Sequence, residues 1–98
     1  MRLTYHAEAE AELIEAASFY ESRVRGLGER FLKEFDVAVS TILSAPTRWT
    51  VVEDDLRRFS LRRFPYAIYY RVVEVEVRIL VVKHHKRHPD YWRHRLDE

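Results

Sequence analysis

The sequence predicts an α+β domain in which an antiparallel two-helix hairpin packs on a small antiparallel sheet, in the order β-α-α-β-β-β. The first half of the chain carries two apolar stripes at helical spacing, and the second half carries three runs rich in β-branched and aromatic residues. A striped helix and a one-sided sheet must each bury an apolar face. The helices of the first half and the strands of the second half can cover each other's apolar faces. With 98 residues, 1–98 is predicted to be one domain.

The N-terminal half is predicted to form a short strand, residues 2–5, followed by two helices. From Ala7 the apolar spacing becomes helical, and the first stripe comprises Leu13, Ala17, Tyr20 and Val24. Gly26 and Gly28 end this helix. The second stripe comprises Phe31, Phe35, Val39 and Ile42, and Pro46 ends the second helix. So short a connection predicts an antiparallel hairpin.

Four glutamates crowd the N-terminal half of the first helix, at positions 8, 10, 12 and 15. Negative charge is favourable there because of the helix macrodipole. We interpret them as helix support rather than as an acidic catalytic site, since nothing nearby in the sequence suggests a metal.

Three strands are predicted in the second half, at 56–63, 66–73 and 75–82, joined as an antiparallel meander. Alternation assigns their faces. The side chains expected to meet the helices are Phe59, Leu61, Tyr66, Ile68, Tyr70, Val72, Val77, Ile79 and Val81. Those expected on the opposite, outer face are Arg58, Ser60, Arg62, Ala67, Tyr69, Arg71, Arg78, Leu80, Val82 and His84. This outer face is basic and carries tyrosine and aliphatic patches. Such a mixture suits the binding of another molecule better than simple exposure to solvent.

Composition excludes several kinds of chemistry. The chain has no cysteine, so disulfides, thiolate zinc sites and cysteine nucleophiles are excluded. No apolar run approaches the roughly 20 residues of a membrane span, and no signal-peptide pattern is visible, so a cytoplasmic protein without membrane association is expected. Residues 1–45 hold 5 Lys/Arg against 8 Asp/Glu, a net charge of −3, whereas residues 46–98 hold 12 against 8, a net charge of +4. Such polarity can offer a basic face to an anionic partner.

The C-terminal segment 83–95 is the strongest functional candidate, because it combines Lys, Arg and His with two aromatic residues. It could contact phosphates and stack on unpaired bases, or grip an acidic protein surface. Alternatively, Tyr91 and Trp92 anchor the C-terminus to the sheet while the charges stay solvated. A metal site at His84, His85 and His88 is disfavoured by neighbouring cations and by Pro89. No metal or other cofactor is expected.

Two groups of residues resemble signatures of the RelE/ParE toxin superfamily. The first is Arg63-Phe64-Pro65-Tyr66 with Ile68 and Tyr70, which is similar to the middle-strand signature. The second is similar to the C-terminal signature of the ParE-like plasmid-stabilisation branch, and comprises Val81, His84, Arg87, Pro89, Tyr91, Trp92 and Arg95. A short strand followed by Ala7-Glu8-Ala9 at the start of a helix is similar as well.

The resemblance implies the toxin of a type II toxin–antitoxin system, held in a hetero-oligomer by a cognate antitoxin that orders on binding. ParE-like members poison DNA gyrase without catalysis, whereas RelE-like members are endoribonucleases that cleave mRNA in the ribosome. Against the nuclease pattern, Ser60 stands for a lysine, Ala67 for an arginine and His85 for another arginine. A cation that stabilises the phosphorane cannot be replaced by alanine. These departures favour a toxin that inhibits gyrase over one that cleaves mRNA. Growth inhibition is the expected outcome.

Three hypotheses follow from the resemblance: a gyrase-inhibiting toxin, a ribosome-dependent endoribonuclease, and a relative that only binds its antitoxin. The residues expected to bind the target are Lys86, Arg87, Tyr91, Trp92, Arg93 and Arg95. Those expected to bind the antitoxin are Tyr69, Arg71, Leu80 and Val82. Catalytic residues are unknown, and for a nuclease they would be Arg58, Arg62, His85, Arg87 and Tyr91. The tail arginines, Arg95 included, are expected to be exposed and to contribute little to stability.

Overall fold

The computed structural model describes residues 1–97 and has the predicted α+β architecture. One short strand precedes two helices, four strands follow, and a short 3-10 helix ends the described chain. The elements are β1 Arg2–Tyr5, α1 Ala7–Arg23, α2 Leu27–Ser44, β2 Val51–Glu53, β3 Leu56–Ser60, β4 Tyr66–Val73, β5 Glu76–His84 and the 3-10 helix Arg93–Asp97. β2 was not predicted.

The two helices form the expected hairpin, and a glycine-containing turn sets their connection. His6 caps α1, because its Nδ1 accepts a hydrogen bond of 3.0 Å from the Glu8 amide. Gly26 adopts a left-handed conformation with φ of 85°, which glycine reaches without steric cost. The Glu21 carboxylate accepts hydrogen bonds from the amides of Gly26 and Gly28, and so ties the end of α1 to the start of α2.

The sheet has five strands in the order β1-β5-β4-β3-β2, and it is mixed rather than purely antiparallel. The β2–β3–β4–β5 meander is antiparallel as predicted. β1 instead pairs in parallel with β5, because the intervening chain crosses over through both helices. This pairing ends at Tyr5 opposite Ile79, so the second half of β5 continues past the end of β1.

A β-bulge in β5 changes the face on which several side chains lie. Tyr69 pairs with Val81 and Tyr70 with Ile79, which leaves Leu80 as an extra residue. Because the bulge shifts the alternation by one residue, the predicted faces of Val81 and Val82 are wrong. Val82 packs with the helices in the main core, and Val81 joins Leu80 on the outer face.

The sheet carries a core on each face. Between helices and sheet lie the buried side chains of both helices together with Ile68, Tyr70, Val77, Ile79 and Val82. All four residues of the predicted α2 stripe are buried there, but Val24 of the α1 stripe is exposed. Leu13, Ala17 and Tyr20 of that stripe are partly buried and pack against this core as predicted, and the most buried side of α1 runs through Ala9, Glu12 and Ala16. β3 ends at Ser60, so Arg62 leaves the outer face and lies beside α2.

Candidate interaction site at the C-terminal tail

The C-terminal tail, defined here as residues 85–97, folds back over the outer face of the sheet. Its anchor is Trp92, whose buried indole packs on the Tyr69 ring with a centroid distance of 5.3 Å. Together they bury a second apolar cluster, which comprises Leu56, Ala67, Tyr69, Leu80, Val81 and Trp92. The anchor alternative considered from the sequence is therefore correct for Trp92.

A buried ion pair between Glu12 of α1 and Arg95 of the tail holds this fold-back in place. Glu12 is 9% exposed and Arg95 is 3% exposed. The Arg95 guanidinium donates to both Glu12 carboxylate oxygens, at 2.8 and 3.0 Å, in the paired geometry that suits this side chain.

The same two residues close the part of β5 that β1 does not reach. Glu12 accepts a hydrogen bond of 3.0 Å from the Val82 amide, and Arg95 donates one of 3.0 Å to the Leu80 carbonyl. These backbone groups belong to a strand edge that would otherwise need a partner strand or water. The ion pair therefore joins α1, the β5 bulge and the tail in one network.

Tyr91 completes this network and is held in its protonated form. Its hydroxyl donates a hydrogen bond of 2.5 Å to Glu12. Burial raises the pKa of Tyr91 well above its ordinary value, and the hydrogen bond to Glu12 raises it further. On the exposed side, the Arg87 guanidinium stacks 3.7 Å from the centre of the Tyr91 ring and lies 3.6 Å from the Glu12 carboxylate.

The loop that follows β5 projects from the sheet, and residues 85–88 are exposed. Its first turn is closed by the His84 ring, whose Nδ1 accepts the Lys86 amide hydrogen at 3.0 Å. Burial lowers the pKa of His84, and the neighbouring His85, Lys86 and Lys83 lower it further. The His85 amide donates to the Pro65 carbonyl at 2.8 Å, which fixes the loop against the β3–β4 connection.

Beneath this loop lies a buried lysine, Lys83, which donates hydrogen bonds to backbone carbonyl groups. Lys83 donates to the carbonyl oxygens of His84 and His85 at 3.1 and 3.4 Å. Burial lowers the pKa of Lys83, and the positive charges of Arg87 and Arg58 lower it further. The base of the loop is thus a region of positive potential.

Two contacts at the surface tie the last turn to the rest of the protein. Arg93 forms a bidentate pair with Glu53, at 2.6 and 2.7 Å, and a further contact of 2.8 Å with Asp90. His94 Nε2 lies 2.8 Å from Glu8. These exposed contacts add little stability compared with the buried pair, because solvent screens them.

The six residues predicted to bind a target fall into two groups. Lys86 and Arg87 are exposed, and Arg93 is exposed but engaged with Glu53. Tyr91 is half-buried, while Trp92 and Arg95 are buried parts of the fold. The expectation that Arg95 is a solvated cation of little structural importance is wrong, because it compensates the buried charge of Glu12.

The four residues predicted to bind an antitoxin are covered by the protein itself. Tyr69 and Leu80 lie on the outer face beneath Trp92, and Val82 faces the helices at 2% exposure. Arg71 donates to the Leu96 carbonyl at 3.1 Å and contacts Asp55. The premise that these side chains are exposed is therefore wrong, and their role in binding stays a prediction that now requires the tail to move.

The residues that would serve a nuclease lie on different elements of the fold. Arg87 and Tyr91 are in contact, but Tyr91 is turned toward Glu12 on the α1 side of β5. Arg58 is exposed on β3, and Arg62 lies beside α2. His85 is exposed next to Pro65.

Glu12 is the functional-site residue that the sequence prediction missed. It was grouped with the other α1 glutamates as helix support, yet it lies three residues from Ala9 and four from Ala16, on the buried side of the helix. A charged residue between small apolar ones on that side was the available signal, because a buried charge needs a partner.

Within residues 1–97, no cluster of three or more His, Asp or Glu side chains is arranged to hold a metal ion. No helix in that range is long and apolar enough to cross a membrane. Small open cavities border Glu12, of about 240 Å³ toward His84 and about 370 Å³ toward His94.

The described chain is thus a helical hairpin on a mixed five-stranded sheet, followed by a basic C-terminal segment. The family model for the ParE toxin of the type II toxin–antitoxin system parDE matches residues 3–89. The chain therefore belongs to the ParE toxin family.

Individual proteins agree with this assignment. Toxin ParE2 from Mycobacterium tuberculosis, in strains CDC 1551 / Oshkosh and ATCC 25618 / H37Rv, is 30% identical over 90 residues, which cover 91% of this chain and 86% of the relative. A solved structure described as the chromosomal ParDE TA system from P. aeruginosa has the same fold, with a TM-score of 0.69 at 22% identity, covering 86% of this chain and 95% of the other.

Proposed function

We propose that this ParE family member is neutralised by a cognate antitoxin and, when free, inhibits DNA gyrase without catalysing a reaction itself. The observation that carries the proposal is the exposed pair Lys86 and Arg87, presented on a loop whose two ends are fixed by β5 and by the Glu12–Arg95 pair. A cationic loop held in place loses little conformational freedom on binding. It suits recognition of an anionic surface.

The chemistry of the tail supports a binding role over RNA cleavage. Tyr91 is the one tyrosine among the nuclease candidates, and its proton is bound to Glu12 with a raised pKa. A general base must be deprotonated near neutral pH so that it can accept a proton from the substrate, whereas the raised pKa keeps Tyr91 protonated. Ala67 lies at the position where the nuclease pattern has an arginine, so no cation is supplied there.

An antitoxin partner follows from the ParDE pair in the structural relative, taken here as a proposal for this chain. Exposed apolar side chains on both helices offer contact area, among them Ile14, Phe19, Leu32 and Val37.

The target is tested by expressing the toxin from an inducible promoter and assaying purified protein on gyrase. We expect growth arrest, loss of supercoiling activity and accumulation of cleaved DNA, while translation in a cell-free extract continues. Rapid arrest of that translation with cut transcripts would support the endoribonuclease instead. Folded protein that stops neither growth nor gyrase, yet binds the antitoxin, would point to the non-toxic relative.

A further inference from the structure

A groove away from the tail lies between α2 and the β3–β4 connection. Its volume is about 640 Å³, within the range of roughly 300–1,000 Å³ typical of ligand-binding clefts. We call it the α2 groove, and its lining residues are Leu27, Arg30, Lys33, Glu34, Val37, Arg62, Arg63 and Phe64.

The floor of the α2 groove is apolar. Val37 is 65% exposed there, although valine side chains are usually buried. Phe64 is half-buried and packs edge-on against Phe31 of the main core, at a centroid distance of 5.1 Å. The floor is thus continuous with the core, and a partner that covered Val37 would extend that core.

The rim of the groove is positively charged. Arg30, Lys33, Arg62 and Arg63 line it, and the helix positions recur at the spacing of one helical face. Lys33 lies 3.6 Å from Glu29. Among residues 1–97, no carboxylate lies within ion-pair distance of Arg30, Arg62 or Arg63.

The single acid in the groove is already engaged. The Glu34 carboxylate accepts hydrogen bonds from the backbone amides of Arg62 and Arg63, at 2.7 and 2.9 Å. Glu34 therefore links the β3–β4 connection to α2, and its carboxylate is bound by backbone amides rather than by the arginine side chains. The rim therefore keeps a net positive charge, which attracts anionic groups of a partner.

We infer that the α2 groove is a docking site for a protein segment that is apolar on one side and acidic on the other. An apolar floor with a cationic rim complements such a segment, because its apolar side chains cover Val37 and Phe64 while its carboxylates meet the rim arginines. Nucleic acid fits less well, since a phosphate backbone gains nothing from an apolar floor. If the proposed function holds, this segment belongs to the antitoxin, and the inference rests on that function for the partner's identity alone.

The experiment uses three synthetic 18-residue peptides with the full chain. The first carries Leu at positions i, i+3, i+4 and i+7 and Glu elsewhere; the second replaces Glu by Lys; the third replaces Leu by Ser. Fluorescence anisotropy should detect binding of the first peptide, at least tenfold weaker binding of the other two, and weakening as salt is raised. Equal binding of all three peptides, or none, would overturn the inference.

Variants locate the site. Val37→Asp and the double variant Arg30→Glu/Arg62→Glu should each weaken binding of the first peptide by tenfold or more. Arg48→Glu changes charge outside the groove and should leave binding unchanged. Thermal melts verify that each variant is folded. Unchanged binding by the folded groove variants, or tighter binding of a DNA duplex than of the first peptide, would contradict the site. Growth arrest is scored separately, so failure here is distinct from failure of the proposed function.

Discussion

Glu12 and Arg95, which are 83 residues apart, form a bidentate ion pair that is almost completely removed from solvent. The pair links the first helix to the last turn of the described chain, and its remaining bonds go to the backbone of β5. The family match ends at residue 89, so Arg95 lies beyond it while Glu12 lies within it.

Removing one partner of this pair should be strongly destabilising. Arg95→Ala leaves the Glu12 charge buried without compensation, which typically costs about 3–5 kcal/mol in the free energy of unfolding. Chemical denaturation of the purified variants measures the loss. Lys86→Ala, which removes an exposed cation of the same tail, should change stability by no more than about 0.5 kcal/mol and serves as control.

The double variant Glu12→Leu/Arg95→Leu separates the pair from the packing. Both charges are then absent, but the Val82 amide, the Leu80 carbonyl and the Tyr91 hydroxyl lose their partners, so only part of the loss in the single variant should be recovered. Equal stability of Arg95→Ala and Lys86→Ala would show that the tail detaches from the sheet in solution.

Gly28 is required for the close approach of the two helices. A Cβ atom at this position would lie 2.5 Å from the Ala17 carbonyl oxygen and 3.0 Å from the Cβ of Glu21. Gly28→Ala should therefore cost about 1–3 kcal/mol, despite the better helix propensity of alanine. Ser40→Ala on the exposed side of α2 is the matched control, with a change within about 0.5 kcal/mol. A Gly28→Ala variant as stable as the parent would contradict this packing.

The sequence predicted elements well where a single periodicity runs through them. β4 has the predicted bounds, and the four predicted α2 residues are buried, because each pattern is local and uninterrupted. β2 escaped prediction since three residues carry too little periodicity. Val81 and Val82 were assigned to the wrong faces because the bulge at Leu80 depends on pairing with β4, which the sequence of β5 alone does not specify.

The candidate site was predictable only in part. The tail was recognised by its composition, and Lys86 and Arg87 are exposed as expected. The burial of Arg95 could not be inferred, because it depends on Glu12, and contacts between residues so distant in sequence leave no local pattern. The same applies to the antitoxin residues, whose exposure was judged without the tail that covers Tyr69 and Leu80.

Stability should fall as the pH drops through the range in which histidine titrates. The folded-state pKa of His84 is lowered, first by burial and then by its cationic neighbours, relative to about 6.5 in the unfolded chain. The unfolded state therefore binds this proton first, and stability is lost as the pH falls from 6.5 to the folded pKa. Protonation at Nδ1 would also break the hydrogen bond from the Lys86 amide.

Thermal melts between pH 7.5 and 5 measure this dependence. The carboxylates of Glu8 and Glu53 have lowered pKa values, because of hydrogen bonds from His94 and Arg93 respectively, so both stay ionised in this range. His84→Gln removes the titrating group and should reduce the slope of melting temperature against pH. A variant with the same slope as the parent would show that His84 does not contribute to it.

Toxicity should depend on the exposed cations of the loop and not on the stability of the fold. In Lys86→Ala/Arg87→Ala the buried Glu12–Arg95 pair is kept, and Arg87 loses only its contact of 3.6 Å with Glu12 and its stacking on Tyr91. We expect a loss of about 1 kcal/mol or less in stability. Gyrase inhibition should fall by tenfold or more, because several charge contacts with an anionic surface act together.

Arg25→Ala, an exposed arginine in the α1–α2 turn, is the matched control and should keep full activity. The measurements are supercoiling inhibition, growth after induction and a thermal melt for each protein. A folded double variant that still arrests growth and inhibits gyrase would move the target-binding surface elsewhere, with Arg58 on the outer face as the next residue to test.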